Sequence, residues 1–252
     1  MNILLMGHKG YLGSFLQKHL DADITAQKSS YDYIINCIGK PDLEFCEDNP
    51  SVSYISNYKI VADIINEYPN SKIIHFSSYY VYDNNGLCFE NSPTTSNYKY
   101  CEHKIMSEKL VTKSGGVSFR IGKLFGHFDI NKQNKLTEYV LKADTVTLDN
   151  VRFNPTSLNQ VLLVIKYELE NNVLQGVFNL ANDGYSSHYE YGKFIQQNFN
   201  PNIKIHHIRK HQRRFHNYGR FLMSCKKIKY IIPLNLWEDD MMEYLGEIKC
   251  IV

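Results

Sequence analysis

Tyr100 and Lys104 stand four residues apart in the segment YCEHK. On a helix, that spacing puts both side chains on one face. An ammonium beside a phenol favours the phenolate; tyrosine's ordinary pKa is about 10, and a close cation lowers it by roughly 1–3 units. Such a phenol approaches the pH at which proton donors and acceptors work best. The pair alone recurs by chance, so its surroundings matter. Upstream, KIIHF runs into Ser77-Ser78-Tyr79-Tyr80-Val81-Tyr82. A serine at a strand end can hydrogen-bond a substrate oxygen, and ligands of parallel sheets sit at the carboxyl ends of strands. A third feature, Gly7-His8-Lys9-Gly10-Tyr11-Leu12-Gly13, follows the apolar run NILLM. Glycines there allow a tight turn and let backbone amides approach a pyrophosphate at a helix N-terminus. A plain helix-capping turn is the competing reading of the glycines, and a turn or helix cap that of Ser78. The order of all three favours an enzyme with a dinucleotide cofactor.

These residues need elements to hold them. NILLM, Tyr33 to Ile38, Lys72 to Phe76, Val117 to Arg120 and Gly176 to Leu180 read as strands. Helices are expected after the glycine turn, after Asn49-Pro50 (an N-cap and a first-turn proline), over Ser96 to Val111 and over Ser157 to Glu170. Alternation of this kind predicts βαβ units and a parallel sheet. The expected fold is α/β: a Rossmann-like doubly wound sheet with a smaller C-terminal substrate lobe. The cofactor domain is expected over 1–126, completed by about 152–182, and the lobe over 127–151 and 183–252. In the lobe, Ser187-His188-Tyr189-Glu190 matches a capping box, and a last amphipathic helix is expected around Leu236 to Leu245. Few residues separate the first helix from Tyr33. A full second βαβ unit cannot fit; a strand at Asp23-Ile24-Thr25-Ala26 can survive without its helix. No clear acidic residue is left to clasp an adenosine ribose. Lys9, and Lys28 with Ser29, are candidates to neutralise a 2′-phosphate, or else solvated loop charges.

Bulk properties exclude other classes. The 28 Lys and Arg nearly balance the 26 Asp and Glu, so bulk charge suggests no nucleic-acid or membrane partner. Six scattered cysteines without a CxxC pair, no charged-then-apolar leader and no long apolar run lead us to expect a cytoplasmic protein. Lys204 to Arg214 is rich in histidine and arginine. The histidine spacing suits no ordinary metal-ligand set, so no metal is expected. Arg213 and Arg214 are candidate grips for a substrate diphosphate, since arginine binds phosphate oxygens with two donors; a solvated surface segment is the alternative.

The chain resembles the extended short-chain dehydrogenase/reductases, above all the dTDP-4-dehydrorhamnose reductase-like branch. The glycine spacing is the variant usual there. HFSSYYVYD resembles S-[ST]-x-x-V-[YF], YKYCEHKIMSE resembles Y-x-x-x-K-x-x-x-E, and FRIGKLFG resembles R-x-x-x-x-[YF]-G. IINCIGKPDLEFCEDNP and GVFNLANDGYSSHYEYGKFI resemble further family strands. The resemblance implies Ser78, Tyr100 and Lys104 as the catalytic set. It implies cofactor contacts from Gly7, His8, Lys9, Gly10, Tyr11, Leu12, Gly13, Asn36, Cys37, Ile38, Asn57, Ser77, Tyr100 and Lys104. Ser78, Tyr79 and Tyr80, with Arg213 and Arg214, would meet a nucleotide-sugar substrate. The implied cofactor is NADPH, with NADH as alternative, and the implied reaction is reduction of a nucleotide-linked 4-keto-6-deoxy sugar; a homodimer is compatible with it. Tyr79 and Tyr80 stand where epimerases and dehydratases of the group carry a cysteine or an acidic pair, which argues against those reactions. The alternatives are a nucleotide-sugar epimerase or dehydratase with retained NAD, and a non-catalytic regulatory relative.

Overall fold

The computed structural model describes residues 1–83, 86–95, 97–127, 135–208 and 221–249. The chain begins with β1 (Ile3–Met6), α1 (Tyr11–His19), β2 (Tyr33–Asn36), α2 (Leu43–Asp48), α3 (Pro50–Tyr54), a π-helical turn (Ile55–Lys59), α4 (Ile60–Glu67) and β3 (Lys72–Ser78). A 3-10 turn (Tyr79–Val81), β4 (Gly86–Cys88), α5 (Lys99–Lys113), β5 (Val117–Ile121), β6 (Lys123–Phe125), α6 (Lys135–Lys142), β7 (Thr145–Asp149), β8 (Arg152–Phe153) and β9 (Pro155–Ser157) follow. The rest is α7 (Leu158–Asn171), β10 (Gly176–Leu180), β11 (Ser186–Ser187), α8 (His188–Asn198), β12 (Lys204–Ile208), β13 (Phe221–Met223), α9 (Lys226–Lys229) and α10 (Trp237–Lys249).

One sheet has the order β1-β2-β3-β5-β10. Its pairs β1–β2, β2–β3 and β3–β5 are parallel, with Leu5 opposite Ile35, Ile35 opposite Ile74 and Phe76 opposite Phe119. Every residue of β2 is buried, and so is β3 beyond Lys72. Such continuous apolar strands suit a parallel sheet covered on both faces. The second βαβ unit is cut down further than the sequence allows. Of the Asp23–Ala26 stretch, only Asp23 pairs: its N–H donates to the Ile3 carbonyl at 2.9 Å and its own carbonyl accepts from Leu5 at 2.8 Å. Residues 24–32 then run without helix or strand to β2.

The chain divides into two units. The first comprises Met1–Asp83, Glu90–Ile121 and Leu162–Asn179. Leu4, Ile34, Val61, Ile64, Ile73 and Val111 pack in its core. The second comprises Asn84–Phe89, Gly122–Val161 and Leu180–Val252. It holds small pairings, β6–β9, β4–β13 and β7–β12 parallel and β8–β11 antiparallel. Those pairings explain why it takes in 84–89, 122–126 and 152–161, beyond the lobe boundaries expected from sequence. Its core is aromatic: Phe125, Phe153, Tyr191, Trp237 and Tyr244 are all buried. The capping box opens α8, with the Ser187 hydroxyl accepting from Glu190 N–H and the Glu190 carboxylate from Ser187 N–H. Among the described residues, no helix is long and apolar enough to cross a membrane.

Candidate active site

Within the first unit, Ser78 ends β3, in register with Ile121 of β5. Tyr100 and Lys104 lie one turn apart on α5, and all three side chains are buried. The Ser78 hydroxyl is near enough to the Tyr100 phenol to favour its charged form. That hydroxyl also accepts from Tyr80 N–H at 3.2 Å. The Lys104 ammonium donates to the Phe76 carbonyl at 2.8 Å, two residues before Ser78 on the same strand. Cys46 and Cys101, with half-buried Tyr80, pack around the Tyr100 ring. Tyr79 and Tyr80 stack on one another, ring centroids 4.3 Å apart, in the turn that leaves β3. Two further residues singled out by the resemblance anchor this frame. Arg120 donates to both Glu108 carboxylate oxygens, at 3.0 and 2.7 Å, in a buried pair.

The electrostatics differ from the expectation. Burial pushes the Tyr100 phenol well above its ordinary pKa, with the Ser78 hydroxyl opposing. Burial also lowers Lys104 to about 8, against the pull of Glu108. Desolvation disfavours both charged forms here, and the expected lowering of the tyrosine does not result.

The glycine turn meets the β2 exit. Gly7 has φ +80°, and a Cβ on it would lie 2.7 Å from the Cys37 carbonyl carbon and the Ile38 nitrogen. A Cβ on Gly13 would lie 2.1 Å from the Gly7 carbonyl oxygen. Gly10 is different: its Cβ would meet only the Gly7 oxygen, at 3.3 Å. The protein's own packing thus requires two of the three glycines. Gly10 caps α1 with its backbone, and no side chain caps that helix. With no side chain over it, the N-terminus of α1 can face an anionic ligand such as a pyrophosphate. The Ser77 hydroxyl is buried without a hydrogen-bond partner. These features fit a dinucleotide. Asn36 turns its carboxamide inward, accepting from Ile38 N–H at 3.0 Å. Lys9 is exposed. Lys28 is engaged by Asp23 at 2.8 Å.

Asn57, which the resemblance implies as a cofactor contact, is engaged with the protein's own backbone. Its carboxamide is fully buried and grips the Lys40 backbone, accepting from Lys40 N–H at 2.9 Å and donating to the Lys40 carbonyl at 3.2 Å. It acts on the loop after β2.

The second unit carries a cavity of about 810 Å³. Arg152, Lys226 and Lys229 line it, with Asp183 the single carboxylate among the described residues of the lining, paired with Lys229 at 2.5 Å. Tyr185 and Tyr230 expose their rings in the same lining, and the Arg152 guanidinium lies 5.2 Å from the Tyr185 centroid. Sequence reading missed these residues because they are scattered over the chain; only the lysines of Lys226-Lys227-Lys229 were visible as a cluster. Arg213 and Arg214 lie outside the described residues. No group of three or more His, Cys, Asp or Glu suited to a metal ion occurs among the described residues.

The model of the RmlD substrate binding domain family matches residues 21–250. No curated protein sequence matches the chain. Among solved structures, the chain is similar to a dTDP-4-dehydrorhamnose reductase from Clostridium acetobutylicum, at 17% identity and TM-score 0.81, over 99% of this chain and 100% of that one. It is similar to the Bacillus anthracis dTDP-4-dehydrorhamnose reductase in complex with NADP, at 16% identity and TM-score 0.82, over 98% and 100% of the two chains. A UDP-N-acetylglucosamine 4-epimerase from Methanobrevibacter ruminantium has 13% identity and TM-score 0.82, over 100% and 99%. At these identities the likeness is one of fold, the Rossmann-like fold of extended short-chain dehydrogenase/reductases.

Proposed function

Because the chain belongs to the RmlD substrate binding domain family, we propose that it is an NAD(P)H-dependent reductase of a nucleotide-linked 4-keto-6-deoxy sugar. The observation that carries this reading is the buried constellation of Ser78, Tyr100 and Lys104 in the unit that holds the glycine turn. The nicotinamide cofactor supplies the hydride. Tyr100 holds the proton that passes to the carbonyl oxygen of the sugar, and its raised pKa suits a donor that stays protonated. Ser78, whose hydroxyl lies near the Tyr100 phenol, orients that oxygen. Lys104 and Ser77 would hold the nicotinamide ribose side, and the amides of Tyr11, Leu12 and Gly13 the pyrophosphate. Exposed Lys9 favours NADPH over NADH, because an ammonium there can meet a 2′-phosphate.

The cavity of the second unit suits a nucleoside diphosphate. Its cations outnumber its one carboxylate, as a diphosphate requires, and its tyrosines are flat surfaces for a base. The reading is compatible with a cytoplasmic setting and a homodimer.

The test is to mix purified protein with NADPH and a panel of dTDP-, UDP- and GDP-linked 4-keto-6-deoxy sugars and follow the near-ultraviolet absorbance of the reduced cofactor. Loss of absorbance with one of them is expected. NADPH that binds and is never consumed would favour the regulatory relative; turnover of a sugar with no net change in cofactor would favour an epimerase or dehydratase.

A further inference from the structure

His103, inside the YCEHK segment, points away from Tyr100 into a buried polar chain. Its Nδ1 lies 2.8 Å from the Ser53 hydroxyl, and His103 and Ser53 are both buried. The Asn57 amide donates to the same Ser53 oxygen at 3.3 Å. Asn57 in turn grips both backbone polar groups of Lys40. The donors and acceptors run one way. Lys40 N–H donates to Asn57 Oδ1, Asn57 Nδ2 donates to Ser53 Oγ, and the Ser53 proton goes to His103 Nδ1. In that order Nδ1 accepts, which corresponds to the neutral His103 tautomer protonated on Nε2.

The far end of the chain is next to Lys104. A Cβ on Gly39 would lie 3.3 Å from Asn57 Oδ1 and equally 3.3 Å from Lys104 Nζ. The Gly39–Lys40 loop is thus pinned by Asn57 on the side where the Lys104 ammonium sits. Local backbone explains how Asn57 comes to be there. The π-helical turn Ile55–Lys59 departs from the α-helical hydrogen-bond ladder, and the Asn57 carbonyl accepts from the Ser107 hydroxyl at 2.5 Å. Such insertions recur at functional sites.

We infer that Ser53 and His103 are positioning residues: through Asn57 they hold the Gly39–Lys40 loop against Lys104, and so set the ribose-binding end of the cofactor site. This rests on the cofactor site proposed above. Protonating His103 would put a second donor against Ser53 and break the order of the chain. The groups facing His103 are Glu102 and Lys99 on its own helix, Glu47 from α2, and Ser53 and the Tyr54 ring from α3. Burial outweighs the two carboxylates and keeps its pKa below the ordinary value. The chain is therefore intact at neutral pH and is lost only as the pH falls below the usual histidine range.

The experiment is NADPH binding to the full chain, read as a dissociation constant by fluorescence titration from pH 5 to 8, with thermal melting of each variant as control. Ser53→Ala and His103→Phe should each weaken NADPH about three- to tenfold at pH 8, the size of one lost hydrogen bond. His103→Asn keeps an acceptor near the place of Nδ1 and cannot titrate. It should bind within about twofold of the parent at pH 8, because it restores that one bond, and should lack the parent's loss of affinity in acid. Parent-like affinity in both Ser53→Ala and His103→Phe overturns the inference, and so does an acid loss that persists in His103→Asn. If Ser53→Ala does not fold, the two His103 variants decide alone. A parent that binds no NADPH at any pH overturns the cofactor site itself and the inference with it.

Discussion

At the scale of single residues, the site is a set of buried groups whose charged forms are disfavoured. Tyr100→Phe removes one oxygen and keeps the ring packed against Cys46 and Cys101. Folding and NADPH binding should survive, while single-turnover hydride transfer should fall about 10²–10⁴-fold, the usual worth of a general acid. A rate within about threefold of the parent would remove Tyr100 from the chemistry. Lys104 makes a prediction of another kind. Its pKa is about 8 in the folded chain and 10.5 ordinarily. Between those values the unfolded chain binds a proton that the folded chain has released, so stability rises with pH. Denaturant titrations should show the parent gaining about 3 kcal/mol on Lys104→Met between pH 8 and 10.5, at 1.36 kcal/mol per unit. A constant difference between the two proteins would mean that Lys104 is not desolvated.

At the scale of elements, the glycine turn separates folding from binding. Gly13→Ala drives a Cβ into the Gly7 backbone and should unfold or strongly destabilise the chain. Gly10→Val has only the Gly7 oxygen to displace, so the protein should melt near the parent temperature. It should nevertheless lose NADPH in calorimetry, because the side chain fills the approach to the α1 amides. Unchanged affinity in Gly10→Val would take the pyrophosphate away from this turn. Which glycine serves the fold and which serves the ligand is invisible in GxxGxxG itself. It depends on the Gly7–Cys37 and Gly7–Gly13 approaches, made by residues distant or differently turned in the chain.

At the scale of the whole molecule, two units offer two chemically different sites. Arg152 lines the cavity of the second unit and belongs to no element of the first. Arg152→Ala should weaken binding of dTDP or UDP about tenfold, the low end for a charge-assisted hydrogen bond at an exposed side chain. NADPH affinity should stay at the parent value. Equal losses of both ligands, or no loss of nucleoside diphosphate, would remove the cavity as the nucleotide site.

The local signals in the sequence determined the strand-end position of Ser78, the helical spacing of Tyr100 and Lys104, the main strands and the capping box, because each depends on neighbours within about four residues: a helical repeat, a strand period or a cap. KIIHFSS, YCEHK and SHYE could be read where they stand. The lobe boundary could not, since β4, β6 and β8 join the second unit through partners far along the chain. Nor could the role of Asn57, whose carboxamide closes on a backbone 17 residues away, or that of His103, which meets Ser53 across 50 residues. The pKa of Tyr100 belongs to the same class. Residue spacing places a lysine beside it, but only the folded core decides how much water both groups lose, and here that desolvation governs their charge.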